Sequence, residues 1–186
     1  MVNQFPRELH HFEELKKIET SWEPFGQSTV NGFHSLKDTN LFQTPSGKID
    51  QLRSIIIDEI AAYFLKFQDE RCTYIEKFPT TRNLYAWTII LKRQGHQNAH
   101  IHPSGWLSGV IYLKVVPSLG KDEGAIEFSL NGENYSDLNS PKLVHQPEVG
   151  DIVFFPSSLH HRTIPFTTDA DRIIISFDLL PGVGKY

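Results

Sequence analysis

The chain has 186 residues, 39 % of them apolar, with 13 phenylalanines and a formal net charge of −4. These values suit one globular domain with a sizeable core and exclude the basic field that a phosphate backbone requires. One cysteine, Cys72, excludes an internal disulfide framework and suits a reducing, cytoplasmic setting; no apolar run has signal-peptide or membrane-spanning length.

In chain order, residues 7–19 read as a short amphipathic helix, with Leu9, Phe12, Leu15 and Ile18 at helical spacing. Residues 20–46, rich in Ser, Thr, Asn and Gly, read as loop. The clearest helix covers about 46–68, where Ile49, Leu52, Ile56, Ile60, Tyr63, Phe64 and Phe67 mark one face. Thr44-Pro45 or Ser46 supplies its start signal. After residue 70, runs of Ile, Val, Phe, Tyr and Trp alternate with turn residues. Strands are expected at 83–93, 98–102, 107–116, 124–130, 142–146, 151–155, 160–165 and 171–180. Short strands at this spacing, with no helices between them, suggest a jelly-roll sandwich or barrel. The expected architecture is a single domain, 1–186. Residues 1–70 form a helical segment bracing one outer face of a mainly β core at 71–186.

The chemistry concentrates in two stretches. In the first, His96, His100 and His102 lie within seven residues. On an extended strand the side chains of His100 and His102 share a face, so both rings can converge on a metal. Paired surface histidines explain the same spacing, and the pair alone does not decide. His96 reads as a loop histidine at the mouth, and His34 and His145 as structural. The second stretch is Pro147-Glu-Val-Gly-Asp-Ile-Val-Phe-Phe-Pro-Ser-Ser-Leu-His-His-Arg-Thr-Ile-Pro165. A tight turn feeds a buried strand, Pro156 ends it, and His160 and His161 follow. Neighbouring strand residues face opposite ways, so only one of the two can point into a barrel. Eleven residues later Arg172 opens an otherwise apolar strand, Ile-Ile-Ile-Ser-Phe-Asp178. A buried guanidinium needs a partner and its fork suits a carboxylate. A rim arginine paired with Asp169 or Asp171 is the competing reading.

The full order is His-x-His, about sixty residues, His, eleven residues, Arg. This pattern resembles the iron(II)- and 2-oxoglutarate-dependent oxygenase superfamily. The closest wording belongs to a largely uncharacterised oxygenase family whose members are sometimes fused to tetratricopeptide repeats. The matching text is Ala99-His-Ile-His-Pro-Ser-Gly-Trp-Leu-Ser-Gly-Val-Ile-Tyr-Leu113, Pro147 to His161, and Asp171-Arg-Ile-Ile-Ile-Ser-Phe-Asp-Leu179. The resemblance is strong from about 83 to 180 and weak before 70.

The resemblance implies a double-stranded β-helix, a jelly roll of cupin-like type, behind a helical N-terminal segment. It implies Fe(II) and 2-oxoglutarate as cofactors, with release of succinate and CO2 and hydroxylation of a substrate. It implies His100 and His161 as iron ligands; His161 is preferred to His160 because Pro165 follows four residues later, as in the family's distal segment. It implies Arg172 as anchor of the C5 carboxylate. One departure stands out. The superfamily's first motif is usually His-x-Asp or His-x-Glu, whereas this chain has His102 and no Asp or Glu between Arg93 and Lys121. A three-His site, or a two-His site with His102 behind it, follows; aspartyl/asparaginyl β-hydroxylases, a more distant resemblance, also lack that carboxylate. Ser176, Asn83 and Tyr85 are further candidates for the 2-oxoglutarate site, and Trp87, Trp106 and Tyr112 for pocket walls, each with packing as the competing role. A cupin-like three-His dioxygenase without 2-oxoglutarate, or a non-catalytic metal-dependent ligand-binding jelly roll, remains as an alternative. The expected partner is a small molecule or a peptide side chain, not nucleic acid or membrane, and a homodimer stays open.

Overall fold

The structure, a computed structural model, describes residues 1–4, 13–43, 47–132, 135, 137 and 139–182. Most of the helix expected over 7–19, and the start signal at 44–46, lie outside these residues. Within them, Glu13–Lys17 is a short 3₁₀ helix. The long helix is α1, Gly47–Phe67, and a four-residue helix, α2 (Thr73–Glu76), follows it.

Ten strands are described: β1 (Val2–Gln4), β2 (Thr20–Trp22), β3 (Thr29–Ser35), β4 (Leu84–Gln97), β5 (Leu107–Lys114), β6 (Ile126–Ser129), β7 (Leu143–His145), β8 (Asp151–Pro156), β9 (His160–Thr163) and β10 (Arg172–Leu179). They form a seven-stranded sheet in the order β1-β8-β5-β10-β4-β3-β2 and a three-stranded sheet in the order β7-β6-β9. All pairings are antiparallel. The fold is the expected double-stranded β-helix.

Alternation along the strands makes two apolar layers. Leu107, Ile111, Ile152, Phe154, Ile175, Phe177 and Leu179 point out of the barrel and meet the α1 residues Leu52, Ile56, Ile60 and Tyr63. Leu52, Ile56 and Ile60 are fully buried, and burial of each such side chain stabilises by about 1.5–3 kcal/mol. Gly109 lies on this outer face directly under Phe177, whose ring would sit 2.1 Å from any Cβ there. The opposite parity, Val110, Tyr112, Val153, Phe155 and Ile174, fills the barrel interior with Phe128 and Ile126 from the smaller sheet. The helix covers one outer face of the larger sheet, and the interior face is left to build a site.

Two expectations need correction. Residues 20–46 contain strands β2 and β3, not loop alone. Asn31 and Gly32 disguise β3: Asn31 adopts φ 49°, and the register to β4 shifts between Val30 and Gly32. This is a bulge, whose extra residue hides the period-two pattern. Gly32 is required there, because a Cβ would meet Leu91 Cδ2 at 2.8 Å and the Ile90 carbonyl at 2.9 Å. Conversely, 98–102 is not a strand; it makes one isolated bridge, His100 to His161.

Candidate metal centre and active site

His100 and His161 face each other through reciprocal backbone hydrogen bonds, each 3.1 Å long. The His102 amide donates to the Ser157 carbonyl at 2.9 Å, and the Gly105 amide donates to the His102 carbonyl at 3.1 Å. Pro103 and Ser104 thus make a turn that ends the extended segment directly after His102. One ligand-capable nitrogen from each of His100, His102 and His161 lies within 4.8 Å of the other two. His160, on the opposite parity of β9, sits under the chain at Gly132.

The second ring nitrogens settle the tautomers. His100 Nδ1 donates to the Asn98 carbonyl at 2.7 Å, and His161 Nδ1 to the Leu159 carbonyl at 3.0 Å. His102 Nδ1 lies 2.7 Å from Asp178 Oδ1. Carbonyl and carboxylate oxygens accept, so Nδ1 carries a hydrogen in all three rings and Nε2 is the nitrogen left to face a metal. The Nε2 atoms of His100 and His102 are 3.3 Å apart. At that distance one Nε2 can donate to the other, and a cation that displaces this hydrogen takes both lone pairs. The donor set therefore fits a divalent transition metal held by neutral imidazoles.

Burial, and then the neighbouring imidazoles, depress these basicities. His100 is lowered from its ordinary 6.5 to about 4, chiefly by burial and then by His102. His161 is lowered to about 2, by burial and then by His100 and His102. Both rings stay neutral near pH 7, ready to ligate. The linkage sign follows. A folded state with depressed pKa binds fewer protons than the unfolded chain, so the stability is present above 6.5 and is lost as pH falls toward 4. The metal-free protein should therefore show a falling unfolding midpoint between pH 6.5 and 4. His161→Gln should flatten that slope in a urea titration with chelator present; equal slopes would remove His161 as a cause.

A cavity of about 630 Å³ opens at this end, lined by the three residues His100 to His102, Tyr85, Trp87 and, from the β2–β3 connection, Gln27 and Ser28. Trp87 packs its ring edge-on to His102, with centroids 5.3 Å apart.

Arg172 lies deeper. It is 1 % exposed, and its guanidinium sits 5.0 Å from the Tyr112 ring centroid. Arg172 Nε donates to the Gly124 carbonyl at 3.2 Å. Asp171 pairs with Lys92 and Asp169 with Arg93, so the rim-pair reading of Arg172 fails. Instead Arg172 faces the Tyr112 side chain in the closed interior, and Arg172 Nη1 and the Tyr112 hydroxyl keep hydrogen-bonding capacity that no other described side chain takes up. Burial pushes the Tyr112 hydroxyl up to about 12 and lowers Arg172 from its ordinary value. Unsatisfied buried donors cost about 1–3 kcal/mol each, more when charged. A carboxylate would satisfy both, so this corner fits the far end of a dicarboxylate. Gly124 is bonded to Ile164, three residues along from His161. At the usual strand rise that places the Arg172 head about 10 Å from the level of the imidazoles.

Antiparallel register separates the other candidates. Arg172 pairs with Leu91, whereas Tyr85 pairs with Asp178. Tyr85 therefore stands at the imidazole end, and its hydroxyl donates to the Lys37 carbonyl. Asn83 is exposed beyond the start of β4, where its carbonyl accepts from Leu180. Neither Asn83 nor Tyr85 lies beside Arg172. Ser176 does face the interior, between the two ends. Of the proposed walls, Trp87 lines the cavity. Trp106 turns outward, stacked on Tyr74 at 5.6 Å with its indole N–H on the Tyr74 carbonyl. Tyr112 is buried beside Arg172 instead. Sequence reasoning missed Asp178, Ser108 and Ser157, which meet behind His102; the alternation Arg172, Ile174, Ser176, Asp178 already placed Asp178 on the interior face.

Residues 85–178, just over half of the chain, match the profile of the family described as "Putative 2OG-Fe(II) oxygenase". The chain belongs to this family: it is an Fe(II)- and 2-oxoglutarate-dependent oxygenase. No curated protein sequence matches it significantly. Among solved structures it resembles a Pseudomonas putida prolyl-4-hydroxylase, with a TM-score of 0.64 at 11 % identity over 97 % of this chain and 91 % of that one. HygX from Streptomyces hygroscopicus, solved with nickel and 2-oxoglutarate bound, gives 0.64 at 12 % identity over 98 % and 83 %. A Trichoplax adhaerens prolyl hydroxylase, in complex with a hypoxia inducible factor peptide fragment, gives 0.59 at 13 % identity over 90 % and 73 %. At these identities the likeness speaks to fold. Among the described residues, no helix is long and apolar enough to cross a membrane.

Proposed function

We propose that His100, His102 and His161 hold the iron through Nε2, and that Arg172 and Tyr112 hold the C5 carboxylate of 2-oxoglutarate. Ser176 lines the path between them, and the cavity edged by Trp87 and Tyr85 receives the substrate carbon that is hydroxylated. The carrying observation is the convergence of three imidazoles whose Nδ1 hydrogens are already used. Iron and 2-oxoglutarate together supply an O2-dependent oxidation that leaves succinate and CO2. The chain's own tasks are to keep His100 and His161 neutral, to fix the three rings, and to neutralise the distal carboxylate in a dry interior. A three-His dioxygenase without 2-oxoglutarate leaves the spare hydrogen-bonding capacity of the buried Arg172 and Tyr112 unexplained. The substrate is a small molecule or a peptide side chain, both of which the open cavity admits; the free, exposed Cys72 suits a reducing cytoplasm.

A crystal soaked under nitrogen with Mn(II) and 2-oxoglutarate tests this reading. The expected result is Mn(II) on the three Nε2 atoms and a carboxylate on Arg172. A carboxylate bound elsewhere, with Arg172 untouched, would sink it.

A further inference from the structure

Behind His102 lies a buried polar chain. Asp178 Oδ1 accepts from His102 Nδ1 at 2.7 Å and from the Ser108 hydroxyl at 2.6 Å. The Ser157 hydroxyl stands 2.8 Å from Ser108 Oγ and donates to it, since Ser108 spends its own hydrogen on Asp178. The His102 and Asp178 side chains are 10 % and 9 % exposed. The packing is close, because a Cβ on Gly105 would meet Ser157 Oγ at 2.5 Å and Asp178 Cγ at 3.1 Å.

The three imidazoles are not held alike. His100 and His161 are oriented by backbone carbonyls, which are neutral. His102 alone is oriented by a carboxylate. His102 also occupies the position where related oxygenases usually carry the acidic ligand. Three neutral imidazoles leave a divalent cation uncompensated in a poorly solvated site. A carboxylate one imidazole away supplies the missing charge, and the hydrogen bond makes the ring a better donor. The need is mutual: among the described residues, His102 is the one basic side chain within ion-pair distance of Asp178. A buried carboxylate without a positive charge is costly.

We propose that Asp178 is the positioning residue of this centre. It fixes His102 with Nε2 toward the metal, and it provides through that ring the negative charge that a direct carboxylate ligand provides elsewhere. The proposal rests on the three-histidine reading of the metal site.

The test uses Asp178→Asn, which keeps an acceptor for His102 Nδ1 and removes the charge. Fe(II) and Co(II) dissociation constants and the Fe(III)/Fe(II) potential are measured without 2-oxoglutarate, beside His161→Ala. Asp178→Asn should bind metal roughly 10- to 100-fold more weakly and raise the potential, since losing a negative charge destabilises Fe(III) more than Fe(II). Its metal-free unfolding midpoint should stay at or above the parent's, because the buried carboxylate charge is gone. Wild-type affinity and potential in Asp178→Asn, with metal lost in His161→Ala, would overturn the role of Asp178 and leave the histidine site standing. Full metal retention in His161→Ala would overturn the histidine site itself. Complete loss of metal in a folded Asp178→Asn would mean direct ligation by Asp178, which also overturns the proposal. Should Asp178→Asn not fold, the Co(II)-loaded wild-type protein decides by proton NMR. A His102 Nδ1–H close to the Ser108 β protons is expected; ligation of His102 through Nδ1 would overturn the assignment.

Discussion

Replacing His161 with alanine should abolish tight metal binding while leaving the barrel folded. His161 supplies one of three converging nitrogens, and its backbone pairing to His100 does not depend on the side chain. The lost ring is a direct ligand in the proposed site, so the affinity should fall by more than the ten- to hundredfold typical of an outer partner. The unfolding midpoint of the wild-type protein should rise on adding Mn(II), because a ligand bound only by the folded state stabilises it. In His161→Ala that rise should vanish. His160→Ala is the control, since His160 lies on the other face of β9 against Gly132. Should His160→Ala lose metal and His161→Ala keep it, the choice between these neighbours is wrong.

Arg172→Met should remove the proposed 2-oxoglutarate anchor without harming the fold. Truncating one partner of a buried, hydrogen-bonded charge pair costs about 2–5 kcal/mol, which corresponds to roughly 30- to several-thousand-fold in 2-oxoglutarate affinity. Fe(II) binding should be almost unchanged, because the Arg172 head is about three strand residues beyond the imidazoles. The effect on stability separates this role from a structural one. Without 2-oxoglutarate the buried guanidinium meets the Gly124 carbonyl and the Tyr112 side chain, both uncharged, and an apolar replacement for a buried charge without an ionic partner costs little. The cosubstrate-free variant should therefore melt at or near the wild-type temperature, and it should no longer gain stability on adding 2-oxoglutarate. A variant that melts much lower, with unchanged 2-oxoglutarate affinity, would make Arg172 a core residue and remove the anchor.

The legible parts of this molecule were those with a period. The α1 face, Ile49 to Tyr63, repeats at helical spacing because one side of the helix meets a sheet. Strands β5, β8 and β10 stand out because both of their faces are buried, one under the helix and one in the barrel. The strand pair β2–β3 did not stand out, since a bulge at Asn31 breaks its alternation and Gly32 must yield to Leu91. The His-x-His spacing was legible, but its physical warrant shifted. The rings converge through one backbone bridge and a turn at Pro103, not through a regular strand.

The sequence by itself determined the fold class and singled out the three histidines and Arg172 as candidates, because residue type, parity and order along the chain carry that information. Only the tertiary structure decided which residues share an end of the barrel. Antiparallel register moved Asn83 and Tyr85 away from Arg172, turned Trp106 outward and brought Tyr112 to the guanidinium. It also brought Asp178, 76 positions along the chain, to His102. Register depends on how distant strands pair and on where bulges fall, and no local pattern in the chain encodes which pair of side chains will meet.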